Sequence, residues 1–430
     1  MKTFIQILFL TVVVSAIAQT KSIKNSPALI EATAASAGMS DERLSFIDDA
    51  IIESIEKNEI PGAVALVARK GKIVYFKAFG MADNNSKREL KKDDIFRIAS
   101  QTKAITSTAV MMLWEEGKFR LDDPISNYIP EFKNPQVLDS LIERDSSFVA
   151  SKANKEITVR HLITHTSGIG YGYIDGDARI KKIYAKAGII DLFTTNPVTI
   201  KENIQKLAAL PLHHHPGEKF TYSEGLDVLG YFIEIVSGMP LDEFFRTRIF
   251  DPLDMDDTWF YLPESKQDRL VVVQTKKDEN WIQYPKNNAY DPEYPKKGAK
   301  AFFSGGAGLS STAKDYANFL QMYLNEGELN GVRLLSRTTV QFMMANQIGD
   351  LWGDSGSYYG LAFGVLDQIG QDKGGEGSIG TFQWGGYFNT QYFADPKEEL
   401  IGILMKQTMD INEDNTGWKF RQITGQAIDD

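Results

Sequence analysis

Strand-forming sequence in this 430-residue chain is confined to its two ends. Near the start, 63–68 and 73–79 are β-rich runs around Lys70-Gly71, the pattern of a hairpin. Strand patterns return only after 360, at 361–366, 382–388, 391–394 and 400–405. Between them, 120–300 is rich in Pro, Asp and Asn. It reads as short helices near 158–165, 200–209, 225–237 and 241–249, with no good run of strands. Strand-rich ends around a helical middle predict one α+β unit built from both termini, 41–99 with 301–430, carrying a mostly helical insertion, 100–300. Helices are also predicted at 41–57, from Leu44, Ile47, Ile51 and Ile55 at helical spacing, and at 312–325 and 414–427.

The first residues are set apart from this unit. Lys2 is followed by an apolar run over 4–14 and by Ala16-Ile17-Ala18, the pattern of a secretory signal peptide, 1–18, cleaved after Ala18. The run is too short to span a bilayer, and no later stretch is long and apolar enough. A secreted or periplasmic protein is expected, and loss of Lys2 takes its net charge from −10 to −11. Residues 19–40 are polar and Ala/Ser-rich and read as a flexible lead-in. The absence of Cys rules out disulfides, zinc-thiolate sites, Fe–S clusters and a cysteine nucleophile. An acidic chain with few clustered cations is a poor nucleic-acid binder.

Chemistry-bearing residues fall in three separated motifs. Ser100-Gln101-Thr102-Lys103 is an S-x-x-K in which a helix places the amine and the hydroxyl on one face. A serine hydroxyl needs an adjacent base, and a desolvated lysine can be one. The spacing alone is common: Ser54…Lys57 and Ser311…Lys314 share it. Ser54 and Lys57 read as solvated side chains of a helix, and Ser311 as a helix N-cap. Lys103 differs because the eleven residues after it, 104–114, carry no charge, and a lysine pressed into apolar surroundings is costly unless it has a use. The second motif is Tyr222-Ser223-Glu224, after Pro216-Gly217 and before an apolar helix. Its tyrosine is either packed under a loop or a general base tuned by a nearby cation. The third is Trp384-Gly385-Gly386, where strand glycines mark either a bulge or a ligand's approach to the backbone.

Taken together the three motifs resemble the serine β-lactamase and penicillin-binding-protein family, in its class C-like branch. Supporting words run through most of the chain: His161-Leu162-Ile163-Thr164-His165-Thr166-Ser167-Gly168, Asp227-Val228-Leu229-Gly230, Pro252-Leu253-Asp254-Met255, Ser304-Gly305-Gly306-Ala307-Gly308-Leu309, Tyr359-Gly360-Leu361 and Asp395-Pro396. Within that branch, Trp-Gly-Gly is similar to the third motif of carboxylesterases and acyltransferases. The resemblance implies an antiparallel sheet flanked by helices, with Ser100 as nucleophile, Lys103 as its partner and Tyr222 as the base that also protonates the leaving group. It implies an oxyanion hole from the amides of Ser100 and Tyr387, substrate contacts from Glu224, Trp384, Gly385 and Gly386, and no cofactor. Two departures bear on substrate. Trp384 stands where β-lactamases and D,D-peptidases carry a cation, and Glu224 stands where the second motif usually ends in Asn. A carboxylate at 224 is expected to ion-pair with Lys103 and favour Tyr222 as base.

Other constellations are weaker. His213-His214-His215 sits between prolines and reads as a surface loop rather than a metal site, since adjacent rings do not converge easily. His161 and His165 are four apart but lack a clear third ligand, and the resemblance makes them structural. No G-x-S-x-G or phosphate-loop ending occurs. The sequence thus predicts a serine hydrolase that cleaves a small ester or acylated substrate through an acyl-enzyme. The alternatives are a β-lactamase or D,D-peptidase on the same residues, and a penicillin-binding-type receptor that is acylated without turnover.

Overall fold

The computed structural model describes residues 20–430 except 25, 300, 375, 376 and 412. The signal-peptide segment, 1–18, lies outside the described residues. Among those residues no helix is long and apolar enough to cross a membrane.

The two ends meet in one nine-stranded sheet. Lys70 and Gly71 both have positive φ (51° and 72°), the geometry of a tight hairpin turn. They join Gly62–Arg69 to Lys72–Asp83, as predicted. The C-terminal strands Ser357–Tyr359, Gly364–Leu366, Phe382–Gly386, Thr390–Asp395 and Leu400–Met405 run antiparallel in sequence order. The last of them pairs with the first hairpin strand, from Leu400 opposite Arg69 to Met405 opposite Val64.

Strand Gly62–Arg69 is buried on both faces, so its sequence has no polar alternation. Val64, Leu66 and Ala68 point into the main core shared with helices Thr102–Glu115 and Ala313–Leu324. Ala63, Ala65 and Val67 point into a second core under helices Asp41–Glu56 and Thr416–Gln426. The helices that flank the sheet therefore come from both ends of the chain. Helix Thr102–Glu115 is buried almost all round, which is why its sequence carries no charge between Lys103 and Glu115.

Several expectations are corrected. The later part of the lead-in is packed: Ile30–Glu31 adds to the sheet in parallel with Lys72, and Ala34, Ala37 and Met39 are buried. The buried Arg69 guanidinium donates to the carbonyls of Ala37 and Gly38 at 3.0 and 2.8 Å and fixes that segment. The middle of the chain is not strand-free. It carries hairpins Gln136–Ile142 with Ser147–Lys152 and Gln274–Lys277 with Asn280–Gln283. Their exposed residues need no apolar face, so periodicity does not announce them. Helix Ala178–Ala187 was likewise not foreseen, and the predicted helix 241–249 is Leu241–Phe245 continued by a wide turn, Arg246–Phe250. Of the predicted 361–366 strand only Gly364–Leu366 is strand, and its partner Ser357–Tyr359 lies ahead of the predicted range.

Candidate active site

Ser100 sits half-buried in a tight turn, Ala99–Gln101, that opens the buried helix Thr102–Glu115. Ala99 has φ 42°, a left-handed conformation that costs a non-glycine residue and persists where its surroundings impose it. Here the Ile98 amide donates to the Leu309 carbonyl at 3.1 Å, and the Tyr316 hydroxyl donates to the Gln101 carbonyl at 3.0 Å. The elbow is thereby pinned to the Gly-rich segment 304–309 and to helix Ala313–Leu324.

Lys103 lies one turn further on and is 1% exposed. Its Nζ donates to Ser100 Oγ at 3.2 Å, Tyr171 Oη at 2.9 Å and the Gly306 carbonyl at 2.8 Å. Three oxygens thus replace water around a buried amine. No carboxylate forms an ion pair with it among the described residues; the nearby Asp227 is turned to the Gly306 amide at 3.4 Å.

Tyr222 precedes helix Gly225–Ser237 and lays its ring beside the amine, with Lys103 Nζ 4.6 Å from the ring centroid. His165 fixes this segment from behind. Its Nδ1 accepts from the Ser223 amide at 3.2 Å, and its ring lies 4.6 Å from that of Tyr222. Burial, and then the Lys103 charge, push the His165 imidazole well below its ordinary range, so it is neutral.

The third motif completes the cleft. Trp384 Nε1 donates to the Tyr222 hydroxyl at 3.3 Å, and the indole stacks on Trp352 and meets Tyr359 edge to face. Gly386 carries the argument for the strand's position. A Cβ there would overlap the Ile98 carbonyl and Thr390 Oγ1, so only glycine lets the strand press against the Ser100 elbow. The next residue, Tyr387, has an amide with no backbone partner among the described residues, while Asn389 closes the turn onto the Gly386 carbonyl at 3.0 Å. That turn is braced by Asn389 Nδ2, which donates to Asp414 and Thr408 at 2.9 Å, and Asp414 pairs with the buried Lys406. Gly386→Ala is expected to lower kcat on the order of 10²-fold, the scale of a lost oxyanion-hole donor. Gly385→Ala is the matched control, because Gly385 is exposed and its Cβ would meet only the Thr390 carbonyl, at 3.2 Å. Equal kinetics for the two variants on p-nitrophenyl acetate would remove the significance given to Gly386.

The structure therefore brings Ser100, Lys103, Tyr222 and Trp384 together, with Gly385, Gly386 and Tyr387 on the adjoining strand and turn. It does not place Glu224 there. Glu224 is 1% exposed and its carboxyl bonds toward Asp191, not Lys103. The expected ion pair and the expected substrate contact are both corrected: the residue after Ser223 begins a helix and turns its side chain beneath the cleft. Tyr171, bonded to Lys103, also belongs to the site but carries no spacing signal, because it lies in an irregular turn.

Competing candidates resolve locally. Ser311 is buried in a short strand against Thr258 Oγ1 at 2.8 Å, and the helix cap is Thr312, not Ser311. Ser54 is buried rather than solvated, and Lys57 pairs with Glu53. The histidine triplet is not a free surface loop: His213 Nε2 bonds Asp175 at 3.0 Å, and His214 is buried on Thr221. His161 and Thr158 cap helix Val159–Ile163 reciprocally. No cluster of three potential metal ligands occurs among the described residues. Two spaces flank the cleft. One, of about 930 Å³, is lined by Gly172, Tyr173, Tyr184, Ile190 and Phe193, and the other, of about 550 Å³, by Trp352, Trp384, Gly385 and Trp418.

The profile of the Beta-lactamase family matches residues 47–425. Esterase EstB of Burkholderia gladioli is 29% identical, over 84% of this chain and 90% of that one. Lovastatin esterase of Penicillium rubens is 29% identical, over 83% and 91%. Among solved structures, EstCE1, a hydrolase with promiscuous acyltransferase activity, superposes with a TM-score of 0.77 at 26% identity, covering 90% of this chain and 99% of that one.

Proposed function

This chain belongs to the Beta-lactamase family and is a serine hydrolase, and on that premise we propose that it is a secreted or periplasmic carboxylesterase acting through an acyl-enzyme on Ser100. In this reading Ser100 Oγ attacks the ester carbonyl while Tyr222 takes the hydroxyl proton. The amides of Ser100 and Tyr387 hold the oxyanion. Tyr222 passes its proton to the departing alkoxide, which leaves as the alcohol, and the acyl group stays on Ser100. Water then attacks the acyl-enzyme, gives its proton to Tyr222, and the same proton returns to Ser100 Oγ as the acid leaves. Lys103 supports both oxygens: it donates to Ser100 Oγ and lays its charge against the Tyr222 ring.

The observation that carries the ester reading is Trp384. Its indole N–H is already committed to Tyr222, so this position offers an apolar wall and no positive charge. A β-lactam or peptide carboxylate loses a charge-assisted contact there, about 1.5–3 kcal/mol, or roughly ten- to hundredfold. A neutral ester loses nothing. The esterase names carried by relatives point the same way.

Kinetics on p-nitrophenyl acetate and nitrocefin test this reading. The value of kcat/KM should be clearly higher for the ester, with steady turnover rather than a single burst. Trp384→Lys should narrow the gap by raising nitrocefin hydrolysis more than ester hydrolysis. Wild-type nitrocefin turnover that matches ester turnover would promote the β-lactamase alternative, and a burst without turnover would promote the receptor.

A further inference from the structure

Three carboxyl groups, Asp175, Asp191 and Glu224, hold the Tyr171 turn, and the reaction just described uses none of them. Tyr171 meets Lys103 from a stretch of chain that is neither helix nor strand, so side chains must hold it. Asp175 accepts from the Tyr171 amide at 2.8 Å and is steadied by His213. Asp191 takes the next two amides, Gly172 at 3.1 Å and Tyr173. A Cβ on residue 172 would lie 2.6 Å from both Asp191 oxygens, so the carboxylate closes on the turn only because Gly172 has none.

Glu224 backs this arrangement. Its amide donates to the Gly170 carbonyl at 3.1 Å, its carboxyl bonds to Asp191, and its Oε1 is buried without a partner. Two ionised carboxylates in contact, one of them buried and the other half-buried, repel, and one shared proton removes the repulsion. Burial keeps the proton on Glu224, whose Oε1 has no hydrogen-bond partner among the described residues to stabilise a charge.

We propose that Glu224 is a positioning residue: as a neutral acid it donates to Asp191, and the pair clamps the Tyr171–Tyr173 turn so that the Tyr171 hydroxyl stays on Lys103. The proposal rests on the acyl-enzyme reading of Ser100 and Lys103. Burial, and next the Asp191 charge, push the Glu224 acid well above the ordinary carboxyl range. The other titratable groups facing it are Asp227, Tyr171 and Tyr184. They are acidic groups too, so none of them favours ionisation of Glu224.

The test compares Glu224→Gln, which keeps a neutral donor, with Glu224→Met, which keeps only the bulk. The full chain is assayed on p-nitrophenyl acetate from acid to alkaline pH, with circular dichroism confirming the fold and Ser100→Ala run in parallel. Glu224→Gln should retain kcat within about threefold, and Glu224→Met should lose about tenfold or more in kcat with KM little changed, as expected of misplaced machinery. The alkaline decline of the wild type should move to higher pH in Glu224→Gln, which has no proton to lose there. A Gln variant as slow as the Met variant, a Met variant as fast as wild type, or coincident alkaline limbs for wild type and Gln would each overturn the clamp. If the Met variant does not fold, the Gln rate and its alkaline limb still decide. A Ser100→Ala enzyme that turns over would instead unseat the acyl-enzyme reading, and the Gln–Met contrast would still report on the clamp.

Discussion

Ser100→Ala is expected to abolish ester hydrolysis and labelling by a fluorophosphonate probe together. The drop in kcat should be on the order of 10⁴-fold or more, the scale seen when a catalytic nucleophile is deleted. Ser311→Ala is the matched control, since it also opens an S-x-x-K but its hydroxyl is spent on Thr258. That variant should keep both activity and labelling, at a stability cost of about 1 kcal/mol for the lost hydrogen bond. Labelling that survives in Ser100→Ala would sink the assignment of the nucleophile.

Lys103→Ala should be nearly as damaging. It removes the donor shared by Ser100, Tyr171 and Gly306 and the charge beside Tyr222 in one step. A loss in kcat on the order of 10³-fold is expected, within the range of lost acid–base and electrostatic groups. Tyr222→Phe keeps the ring against Lys103 and deletes only the proton-transfer oxygen, so its loss, about 10²-fold or more, should fall on kcat. Steady-state kinetics on folded protein, with Tyr171→Phe alongside, separates the two phenols. A Tyr222→Phe enzyme near the wild-type rate, beside a crippled Tyr171→Phe enzyme, would transfer the base role to Tyr171.

Much of this was legible in the sequence. The hairpin at Lys70-Gly71 and the uncharged helix after Lys103 were readable because local turn chemistry and full burial leave strong marks on composition. The pairing of the two ends followed from where strand patterns occur. What escaped was held by single polar contacts at long range. The lead-in, 19–40, looks polar and loose, yet two donor bonds from the buried Arg69 dock it at Ala37 and Gly38. Tyr171 carries no spacing signal, because its distance from Lys103 is set by Asp175 and Asp191 and not by a helix period. Glu224 was misread for a related reason. A carboxyl near a lysine in the motif order suggests an ion pair, and only the course of the backbone into helix Gly225–Ser237 turns it toward another acid instead.

The antiparallel seam between Gly62–Arg69 and Leu400–Met405 also governs how this catalyst comes into being. Helices of the middle segment can form from neighbours in sequence, but the seam joins the beginning of the fold to its end. Such distant pairings form slowly and late. The strand that seats Gly386 against the Ser100 elbow belongs to the late portion. A ribosome that has delivered Ser100 has therefore not yet delivered an enzyme. Premature termination or proteolytic trimming ahead of Leu400 should abolish activity outright instead of reducing it in proportion to the length lost.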